Sequence, residues 1–295
     1  MIEKKKEFPL VSVMMPVYNG EMTLPFALAS LQAQTYTNWN AIIVNDGSTD
    51  STKEYLDSLN DTRFKIIHFK KNKGRPYARQ AALDAAEGKY LAFLDADDLY
   101  HPEKLEKQVK LMEENPDVDL ISCGNASYDE NFNIITVRGK RNNLKKKFEN
   151  GDERKAALRT SIIKLKRAKQ LIFNKKLKHA QDTDFIARYL RKGNYIITDE
   201  VLYYYSEFIS VTGLKILRTY WYDFLRNSFT VKESIYTYLQ ISIKIILKFL
   251  VTLILLPITG TNFFLKRRGH NPSHFEKIEF EKVIKLVYPK KVNPN

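Results

Sequence analysis

Cysteine is almost absent from this chain, which has 295 residues and a single cysteine, Cys123. A lone cysteine excludes an intramolecular disulfide and a zinc site built from several cysteines, so nothing in the sequence requires an oxidising compartment. The five histidines lack the spacing of a metal site, and we interpret His68, His101 and His179 as strand, cap and loop residues. These scarcities favour a cytoplasmic location.

Familiar motifs of other nucleotide-binding and hydrolytic enzymes are missing too. No GxGxxG, GxxxxGK[ST], GxSxG or HExxH string occurs in the sequence, which argues against the enzyme classes that use them. Residues 1–7 contain no apolar run, so we expect neither a secretory signal nor an N-terminal anchor.

Acidic residues are scarce only in the second half of the chain. The formal net charge is +14, yet residues 1–139 carry 16 basic and 21 acidic side chains, whereas residues 140–192 carry 18 and 5. A run such as Lys145–Lys147 usually forms a solvated face. The functional alternatives are anionic phospholipid, a diphosphate-linked lipid acceptor and nucleic acid. We expect no nucleic-acid partner, because the basic segment lacks interleaved aromatic residues and any recognition motif.

Short β-branched runs alternate with helical patterns between residues 9 and 123, which predicts an α/β domain with a largely parallel sheet. The predicted strands are Val11–Met15, Ala41–Val44, Phe64–Phe69, Tyr90–Leu94, Val118–Cys123, Tyr195–Ile197 and Val201–Tyr205. Amphipathic helices are predicted after Thr23, from Pro102 to Asn115, and over Phe185–Leu190 with Gly193 as C-cap.

Three acidic clusters lie in places where an α/β sheet presents chemistry. In Asn45–Asp50 a carboxylate can accept from a base or ribose, and a turn with a helix cap explains the segment equally well. In Asp95–Asp98 three acids crowd together, which is unfavourable without a cation and suits Mg²⁺ or Mn²⁺, unless the segment is a solvated helix start. In Gln181–Asp184 the acids also offset a helix dipole.

Taken in order, these motifs resemble glycosyltransferase family 2, whose inverting enzymes have the GT-A fold. The resemblance rests on VSVMMPVYN from residue 11, VNDGSTD from residue 44, NKGRPYARQ from residue 72 and FLDADD from residue 93. It is dense over residues 9–115, thinner to about 213 and absent beyond. It implies a Rossmann-like, mostly parallel sheet and a nucleotide-sugar donor.

The resemblance also implies roles for individual residues on the donor side. By position, Pro16, Val17 and Tyr18 line the nucleotide pocket, and Asp46 accepts a hydrogen bond from the base, usually uracil. Arg79 faces the phosphates or holds its loop. Asp95 meets the ribose, and Asp97 binds the divalent cation, Mn²⁺ or Mg²⁺. Asn45 replaces the first Asp of the family's DDGS string, which keeps hydrogen bonding but removes a charge near the nucleotide.

Asp182 matches the catalytic base, which the family carries in an ED pair near the start of a later helix. In the implied reaction this carboxylate takes the proton from an acceptor hydroxyl while that oxygen displaces the nucleoside diphosphate with inversion. Gln181 replaces the usual Glu, and a neutral neighbour removes a like charge that would raise the pKa of the base.

The C-terminal part changes in composition, because apolar residues dominate from residue 215 and Phe249–Leu265 carries no charged side chain. Lys244 and Lys248 share one helical face opposite a broad apolar surface, with Lys266–Arg268 at the far end. This pattern favours an interfacial helix on an anionic membrane. A helix packed on the protein or on a dimer partner, and a spanning or re-entrant segment, are the alternatives for residues 239–265.

We therefore divide the chain into a catalytic domain, residues 1–213, and a helical C-terminal region, residues 214–295. Within the first, residues 9–123 bind the nucleotide and residues 124–213 the acceptor. The leading hypothesis is an inverting, metal-dependent glycosyltransferase that moves a sugar from a UDP-linked donor to a glycan or lipid-linked acceptor in cell-surface polysaccharide synthesis, at the inner face of the cytoplasmic membrane. The alternative is a nucleotide-sugar-binding or scaffolding protein without turnover.

Overall fold

The computed structural model describes residues 8–142, 144–149, 156–177, 180–207, 213, 217–218, 235–267 and 269–288. The expectations for residues 1–7, His179 and Arg268 lie outside these ranges. The chain forms two compact units. The first comprises Met1–Ala126, Val137–Tyr205 and Ser273–Asn295, and the second comprises Ser127–Thr136 and Ser206–Pro272.

A mixed sheet forms the centre of the fold, and ten strands belong to it within the described residues. They are β1 Val11–Val17, β2 Trp39–Asn45, β3 Phe64–His68, β4 Tyr90–Phe93, β5 Leu99–Tyr100, β6 Leu120–Tyr128, β7 Ile134–Arg138, β8 Lys146–Lys147, β9 Ile162–Lys164 and β10 Asn194–Ser206. The order is β3-β2-β1-β4-β9-β6-β10-β5, with β7 beside β6 and β8 beside β10. The strands β3, β2, β1 and β4 are parallel, and β9 is antiparallel to β4 and β6.

Eight α-helices accompany the sheet in the described part of the chain. They are α1 Leu24–Gln32, α2 Thr52–Asp57, α3 Arg75–Ala85, α4 Lys104–Glu114, α5 Leu165–Ala168, α6 Gln181–Tyr189, α7 Ile235–Lys266 and α8 His274–Val287. A 3₁₀ turn at Leu158–Thr160 precedes β9. The predicted α/β class is confirmed by this arrangement.

The parallel strands are buried on both faces, and successive side chains enter different cores. On β1, Val13 and Met15 pack in a core that includes the apolar sides of α1 and α4. Met14 packs in a second core, with residues of α3 and α6. The first unit therefore has helices on both sides of its parallel strands, which places the strand ends and their loops at one edge.

Several predicted boundaries differ from the structure. The two strands expected within residues 195–205 form one strand, β10, because residues 198–200 continue the extended backbone between them. The helix expected from Pro102 begins at Lys104. The last helical residue of α6 is Tyr189 and its C-cap is Leu190, so the predicted C-cap at Gly193 is wrong.

The second unit contains α7, whose 32 residues include Pro257 and a break in helical geometry at Gly260. Among the described residues, Ser242–Gly260 is long and apolar enough to cross a membrane by length and composition. Ser242 and Thr252 are buried, whereas large apolar side chains at helical spacing are exposed. We call these residues the α7 stripe: Leu239, Ile243, Ile246, Leu247, Leu250, Val251, Leu253, Ile254 and Ile258.

Helix α8 belongs to the first unit, although it follows α7 in the chain. A capping box starts it, in which the Ser273 hydroxyl accepts from the Glu276 N–H and the Glu276 carboxylate accepts from the Ser273 N–H. Phe280 then packs on Tyr204 with ring centroids 4.7 Å apart. The compact units thus group residues 273–288 with the nucleotide and acceptor parts, whereas our predicted division placed all of residues 214–295 in one C-terminal region.

Candidate functional site

Strand β1 extends further than β4, the strand that it pairs with, so the loop after β1 begins beyond the end of β4. Met14 accepts a hydrogen bond from the Leu94 N–H, so the even-numbered residues of β1 direct their backbone groups toward β4. Pro16 lies two residues further along, beyond the end of that pairing, and its lack of an N–H costs no ladder bond there. Pro16 is half-buried, Val17 is buried and Tyr18 is 49% exposed, so the tyrosine ring is the most accessible of the three predicted pocket residues.

Residues of the NDGSTD motif, and Thr52 just after it, hold this loop, and the Glu21 N–H donates to the Asp50 carboxylate at 3.2 Å. The Asn19 and Gly20 N–H groups donate to the hydroxyls of Ser48 and Thr52, at 2.9 and 2.8 Å. In return, the Thr49 N–H donates to the Asn19 side-chain oxygen at 2.9 Å. These reciprocal bonds join the loops after β1 and β2, so this part of the motif acts as a structural clamp.

Asp46 is 4% exposed and faces the NKG segment rather than open solvent. Its two carboxylate oxygens accept from the N–H groups of Lys73 and Gly74, at 2.7 and 2.8 Å. Gly47 next to it has φ +67°, and a Cβ there would lie 2.3 Å from the Lys71 carbonyl carbon. The Asp-Gly pair therefore fixes the segment that leads into α3, and the predicted contact of Asp46 with the base stays a prediction.

The unusual Asn45 fits a local hydrogen-bond chain. Its amide oxygen accepts from the Ser48 N–H at 3.0 Å, and its Nδ2 lies 3.1 Å from His68 Nδ1. His68 Nε2 in turn lies 3.0 Å from an Asp57 carboxylate oxygen. The contacts fit a ring that carries its proton on Nε2, which gives His68 a structural role.

Arg79 lies on the inward face of α3, together with Ala78, Ala82 and Leu83. Since a buried guanidinium requires hydrogen-bond acceptors, the group that Arg79 contacts indicates what holds it in place. Its Nη2 lies 3.3 Å from a carboxylate oxygen of Asp95, which follows β4. The attraction of Arg79, and next of Arg75 and Arg159, outweighs the effect of burial and lowers the pKa of Asp95.

The third acid of the FLDADD motif is fully buried. The Asp98 carboxylate accepts a hydrogen bond from the Tyr203 hydroxyl, with an O···O distance of 2.6 Å. Burial, and then the charges of Asp97 and Asp95, raise the pKa of Asp98 well above its ordinary value, while Arg159 opposes them. Arg79 and Arg159 therefore supply positive charge beside these crowded acids, which reduces the need for a cation that the sequence alone suggests.

Asp97 is half-buried in the turn between β4 and β5, beside the half-buried Asp95. No group of three or more His, Cys, Asp or Glu side chains is placed to hold a metal ion by itself in the described ranges. Mg²⁺ and Mn²⁺ in nucleotide sites commonly take one or two protein carboxylates and complete their shell with phosphate and water oxygens. The hard carboxylate oxygens of Asp97 and Asp95 fit that pattern.

Asp182 lies on a different element, the first turn of α6, where it is half-buried. The other acid of this turn, Asp184, is bound by Arg188 at 2.6 and 3.0 Å. Phe185 anchors the helix by stacking on Phe173, with centroids 4.3 Å apart. Of the two acids, Asp182 is therefore the one better placed for an acceptor, and its role as the base stays a prediction.

A separate cavity of about 490 Å³ lies between α4, β10 and α8 in the first unit, and none of the predicted site residues lines it. Its charged walls pair with one another: Lys140 with Glu276 at 2.9 Å, and His101 Nε2 with Glu279 at 3.2 Å. His101 Nδ1 also accepts from the Glu103 N–H, which agrees with its interpretation as a cap residue.

The structure thus brings the four donor motifs to one edge of the parallel strands, as their order along the chain predicts. Sequence reasoning did not identify Tyr203 and Arg159 as partners of the acidic loop. Both lie in segments that the motifs do not reach, and the Tyr203–Tyr205 run indicated only a strand.

The family model for glycosyl transferase family 2 matches residues 12–174, more than half of the chain. The protein therefore belongs to this family of glycosyltransferases. The match covers β1 to α5 and ends before α6, which carries Asp182.

Curated relatives agree over the same N-terminal region. The chain is 40% identical over 106 residues to WfgD of Escherichia coli, named as a UDP-Glc:alpha-D-GlcNAc-diphosphoundecaprenol beta-1,3-glucosyltransferase, which is 36% of this chain and 42% of that protein. It is 41% identical over 108 residues to the putative teichuronic acid biosynthesis glycosyltransferase TuaG of Bacillus subtilis, which is 36% and 43% of the two chains. An uncharacterised glycosyltransferase of Methanocaldococcus jannaschii matches at 37% over 61% of this chain and 64% of its own. The chain thus matches less than two thirds of each of these relatives.

Two solved structures share the fold over almost the whole chain. Staphylococcus aureus TarS in complex with UDP-GlcNAc has a TM-score of 0.57 at 21% identity and covers 96% of this chain and 82% of its own. The mannosyltransferase PcManGT of Pyrobaculum calidifontis, in complex with GDP-Man and Mn²⁺, has a TM-score of 0.60 at 14% identity, with 98% and 89% covered. The predicted GT-A fold is confirmed.

Proposed function

We propose that the protein is an inverting, divalent-cation-dependent glycosyltransferase that moves a sugar from a UDP-linked donor to a hydroxyl group of a glycan or lipid-linked acceptor. The observation that carries this proposal is the arrangement at the end of β4, where the half-buried Asp95 pairs with the inward guanidinium of Arg79 and the half-buried Asp97 lies two residues further along the same turn. Paired charges of this kind suit a ribose and a metal-bound diphosphate.

The loops on either side support a nucleotide at this edge. Tyr18 presents an exposed aromatic ring beside the end of β1, and an aromatic face stacks on a nucleobase. Asp46 holds the Lys73–Gly74 backbone, and its carboxylate has lone pairs beyond the two bonds it makes, which leaves it able to accept from a base. The name of WfgD contains UDP-Glc, and TarS has been solved in complex with UDP-GlcNAc, which supports UDP as the donor nucleotide.

The mechanism follows from the roles of the chain's own groups. Asp182 orients the acceptor hydroxyl and takes its proton as the oxygen attacks the anomeric carbon. The bond from that carbon to the diphosphate breaks on the opposite face, so one displacement inverts the configuration. Asp97 would hold a divalent cation, which when bound would supply positive charge for the leaving diphosphate. Arg79 holds Asp95 ionised and in place for the ribose.

Nucleotide binding tests the donor site directly. Thermal-shift assays with UDP, GDP, CDP and dTDP, each with and without Mn²⁺, measure ligand stabilisation of the folded chain. We expect a Mn²⁺-enhanced shift with UDP that Asp97→Ala loses. The matched control is Asp129→Ala, an acid on an exposed turn outside the donor motifs, which should keep the shift.

The outcomes separate the enzyme from its alternative. No shift with any nucleotide would contradict the donor site. A UDP shift without release of UDP from UDP-sugars, in wild type and in Asp182→Asn alike, would favour a nucleotide-sugar-binding protein without turnover. A shift with GDP alone would retain the reaction and change the base.

We also propose that the protein works in the cytoplasm at the inner face of the membrane, with the α7 stripe in the lipid interface. The stripe is exposed, and Lys244 and Lys248 border it, as expected for an interfacial helix on anionic lipid. A lipid-linked acceptor, such as the diphosphoundecaprenol in the name of WfgD, would be met at that surface. This location joins the proposed function to synthesis of a cell-surface glycan.

Vesicle flotation of the full chain tests this location. Binding to vesicles that contain phosphatidylglycerol should fall strongly in Leu250→Glu, whereas Ile172→Glu, also an exposed apolar residue but outside α7, should bind like wild type. Equal flotation of both variants would contradict the α7 stripe as the contact.

A further inference from the structure

Two buried tyrosine hydroxyls hold the loop that carries Asp97. Tyr100 donates to the Phe93 carbonyl oxygen at 2.6 Å, where the loop begins. Tyr203 donates to the Asp98 carboxylate at 2.6 Å and accepts from the Asp95 N–H at 3.4 Å. The Tyr203 hydroxyl therefore contacts both residues that flank the Asp97 turn.

Strand pairing fixes the tyrosine relative to the loop. Tyr203 of β10 pairs with Tyr100 of β5, the strand that follows the loop directly. The two rings are in edge contact, with centroids 5.7 Å apart, and both side chains are fully buried. Since packed, buried rings have little freedom to move, the hydroxyl is a fixed point for the loop.

Arg159 completes the surroundings of this hydroxyl. Its guanidinium lies 4.6 Å from the centre of the Tyr205 ring, two residues along β10 from Tyr203. Its charge attracts Asp98 and Asp95, which offsets part of the cost of burying the Asp98 carboxylate. The arrangement around Asp98 is thus built from β10 and the turn before β9, outside the acidic motif.

We infer that Tyr203 is a positioning residue of the donor site, which holds the Asp95–Asp98 turn in the conformation that presents Asp97 to a divalent cation and diphosphate. This inference rests on the proposed function. In this arrangement the hydrogen bond from Tyr203 to the buried Asp98 fixes the end of the turn, and Asp97, one residue earlier, faces the ligand. Without the Tyr203 hydroxyl the turn loses the hydrogen bonds that join Asp98 and Asp95 to β10. The turn then samples other conformations and binds the cation more weakly.

The adjacent tyrosine offers a matched control. Tyr204 is equally buried, and its hydroxyl has no hydrogen-bond partner within the part of the chain that the structure describes. Tyr203→Phe and Tyr204→Phe therefore remove the same atom from neighbouring positions of one strand. Only the first removes a bond to the acidic turn.

The test is a Mn²⁺ titration of the full chain at saturating UDP, followed by the thermal shift and repeated by calorimetry. We expect Tyr203→Phe to weaken Mn²⁺ binding by about tenfold, the effect of losing one buried hydrogen bond. Tyr204→Phe should match wild type. Neither readout requires turnover, so the result does not depend on knowing the acceptor.

Other results would overturn the inference. If Tyr203→Phe lowers the melting temperature of the free protein but keeps wild-type Mn²⁺ affinity, the tyrosine is only structural. If both variants weaken Mn²⁺ binding equally, the effect is not specific to the turn. Failure of wild type itself to bind UDP would instead refute the proposed function, which keeps the two failures apart.

Discussion

The donor loops and the α6 region meet in one compact unit but are held by different forces. On the donor side, the motif residues Ser48 and Asp46, and Thr52 just after the motif, bond to the backbone of neighbouring loops. The α6 helix is held mainly by apolar contact, with Phe185 stacked on Phe173 and Tyr189, while the Tyr189 hydroxyl donates to the Asp119 carbonyl oxygen. Most polar groups of the donor motifs therefore maintain geometry, whereas Asp182 at the start of α6 is the group that we propose as the base.

This difference predicts that the two regions tolerate substitution unequally. Hydrogen bonds between loops are directional, so we expect the donor side to depend on particular residue types. Stacked apolar packing depends mainly on size and shape, so we expect the α6 region to tolerate substitution outside its first turn.

The largest expected effect tests the acid of α6 that we propose as the base. Asp182→Asn should lower the rate of sugar transfer by about 10²–10⁴-fold, because a positioned general base contributes that much, while UDP binding stays unchanged. The measurement is initial rate with a UDP-sugar and acceptor beside calorimetric UDP binding.

The neighbouring acid is the control for that experiment. Asp184 is already bound to Arg188, so Asp184→Asn should stay close to the wild-type rate. Comparable losses in both variants would show that the first turn of α6 acts through its structure rather than through one carboxylate.

The packing of α6 can be broken by truncating its stacked ring. Phe185→Ala removes a fully buried side chain and should lower the free energy of unfolding by about 3–5 kcal/mol, as measured by urea denaturation. Ile172→Ala, at an exposed position, should change it by less than about 0.5 kcal/mol. A small effect of Phe185→Ala would mean that α6 is held by other contacts.

The stability of the donor side should depend on the backbone conformation at Gly47. Gly47→Ala places a Cβ against the Lys71–Asn72 backbone at a positive φ and should cost about 2–4 kcal/mol from strain and overlap together. Gly139→Ala also has a positive φ, but its nearest neighbour lies at 3.6 Å, so strain alone should cost about 1 kcal/mol. Equal losses would show that the close approach of the two loops does not matter.

The smallest effect concerns a buried charge beside these regions. Lys104 of α4 donates to the Gln108 amide oxygen and lies over the Tyr100 ring, and burial lowers its pKa to about 8. Between pH 8 and 10.5 the unfolded chain then binds more protons than the folded chain, so stability rises with pH.

A variant without that charge isolates the pH effect. In urea denaturation, wild type should gain stability relative to Lys104→Met above pH 8, by at most about 1.4 kcal/mol per pH unit. The difference between the two proteins should stay flat from pH 6 to 7.5. A flat difference up to pH 10 would mean that Lys104 keeps an ordinary pKa.

The parallel half of the fold was predictable, because local patterns determine it. The strand runs at Val11, Ala41, Phe64 and Tyr90 are short, apolar and bounded by turns, and each corresponds to a strand of the structure. The structure of the basic segment from residue 140 was not predictable, because its elements β8, β9 and α5 have only two to four residues each. Elements this short take their conformation from pairing with β4, β6 and β10, which no local pattern encodes.

The candidate site divides in the same way. The positions of Asp95, Asp97 and Asp182 follow from motifs, whereas the bonds of Asp46 to Lys73 and Gly74 depend on where two loops meet in space. Helix α8 falls within the C-terminal region that we predicted to be helical, but its bounds and its place in the first unit were not predicted, although its Ser273–Glu276 capping box is a readable local signal.

The return of α8 to the first unit sets an order of events during synthesis. The ribosome makes α7 before residues 273–288, so the surface that receives Phe280, and the Phe26 ring that stacks on Tyr288 with centroids 3.6 Å apart, stay uncovered until those residues have been made. The apolar α7 thus emerges while the first unit is still incomplete. Under our proposal that α7 lies in a lipid interface, its contact with lipid can begin before the first unit has closed.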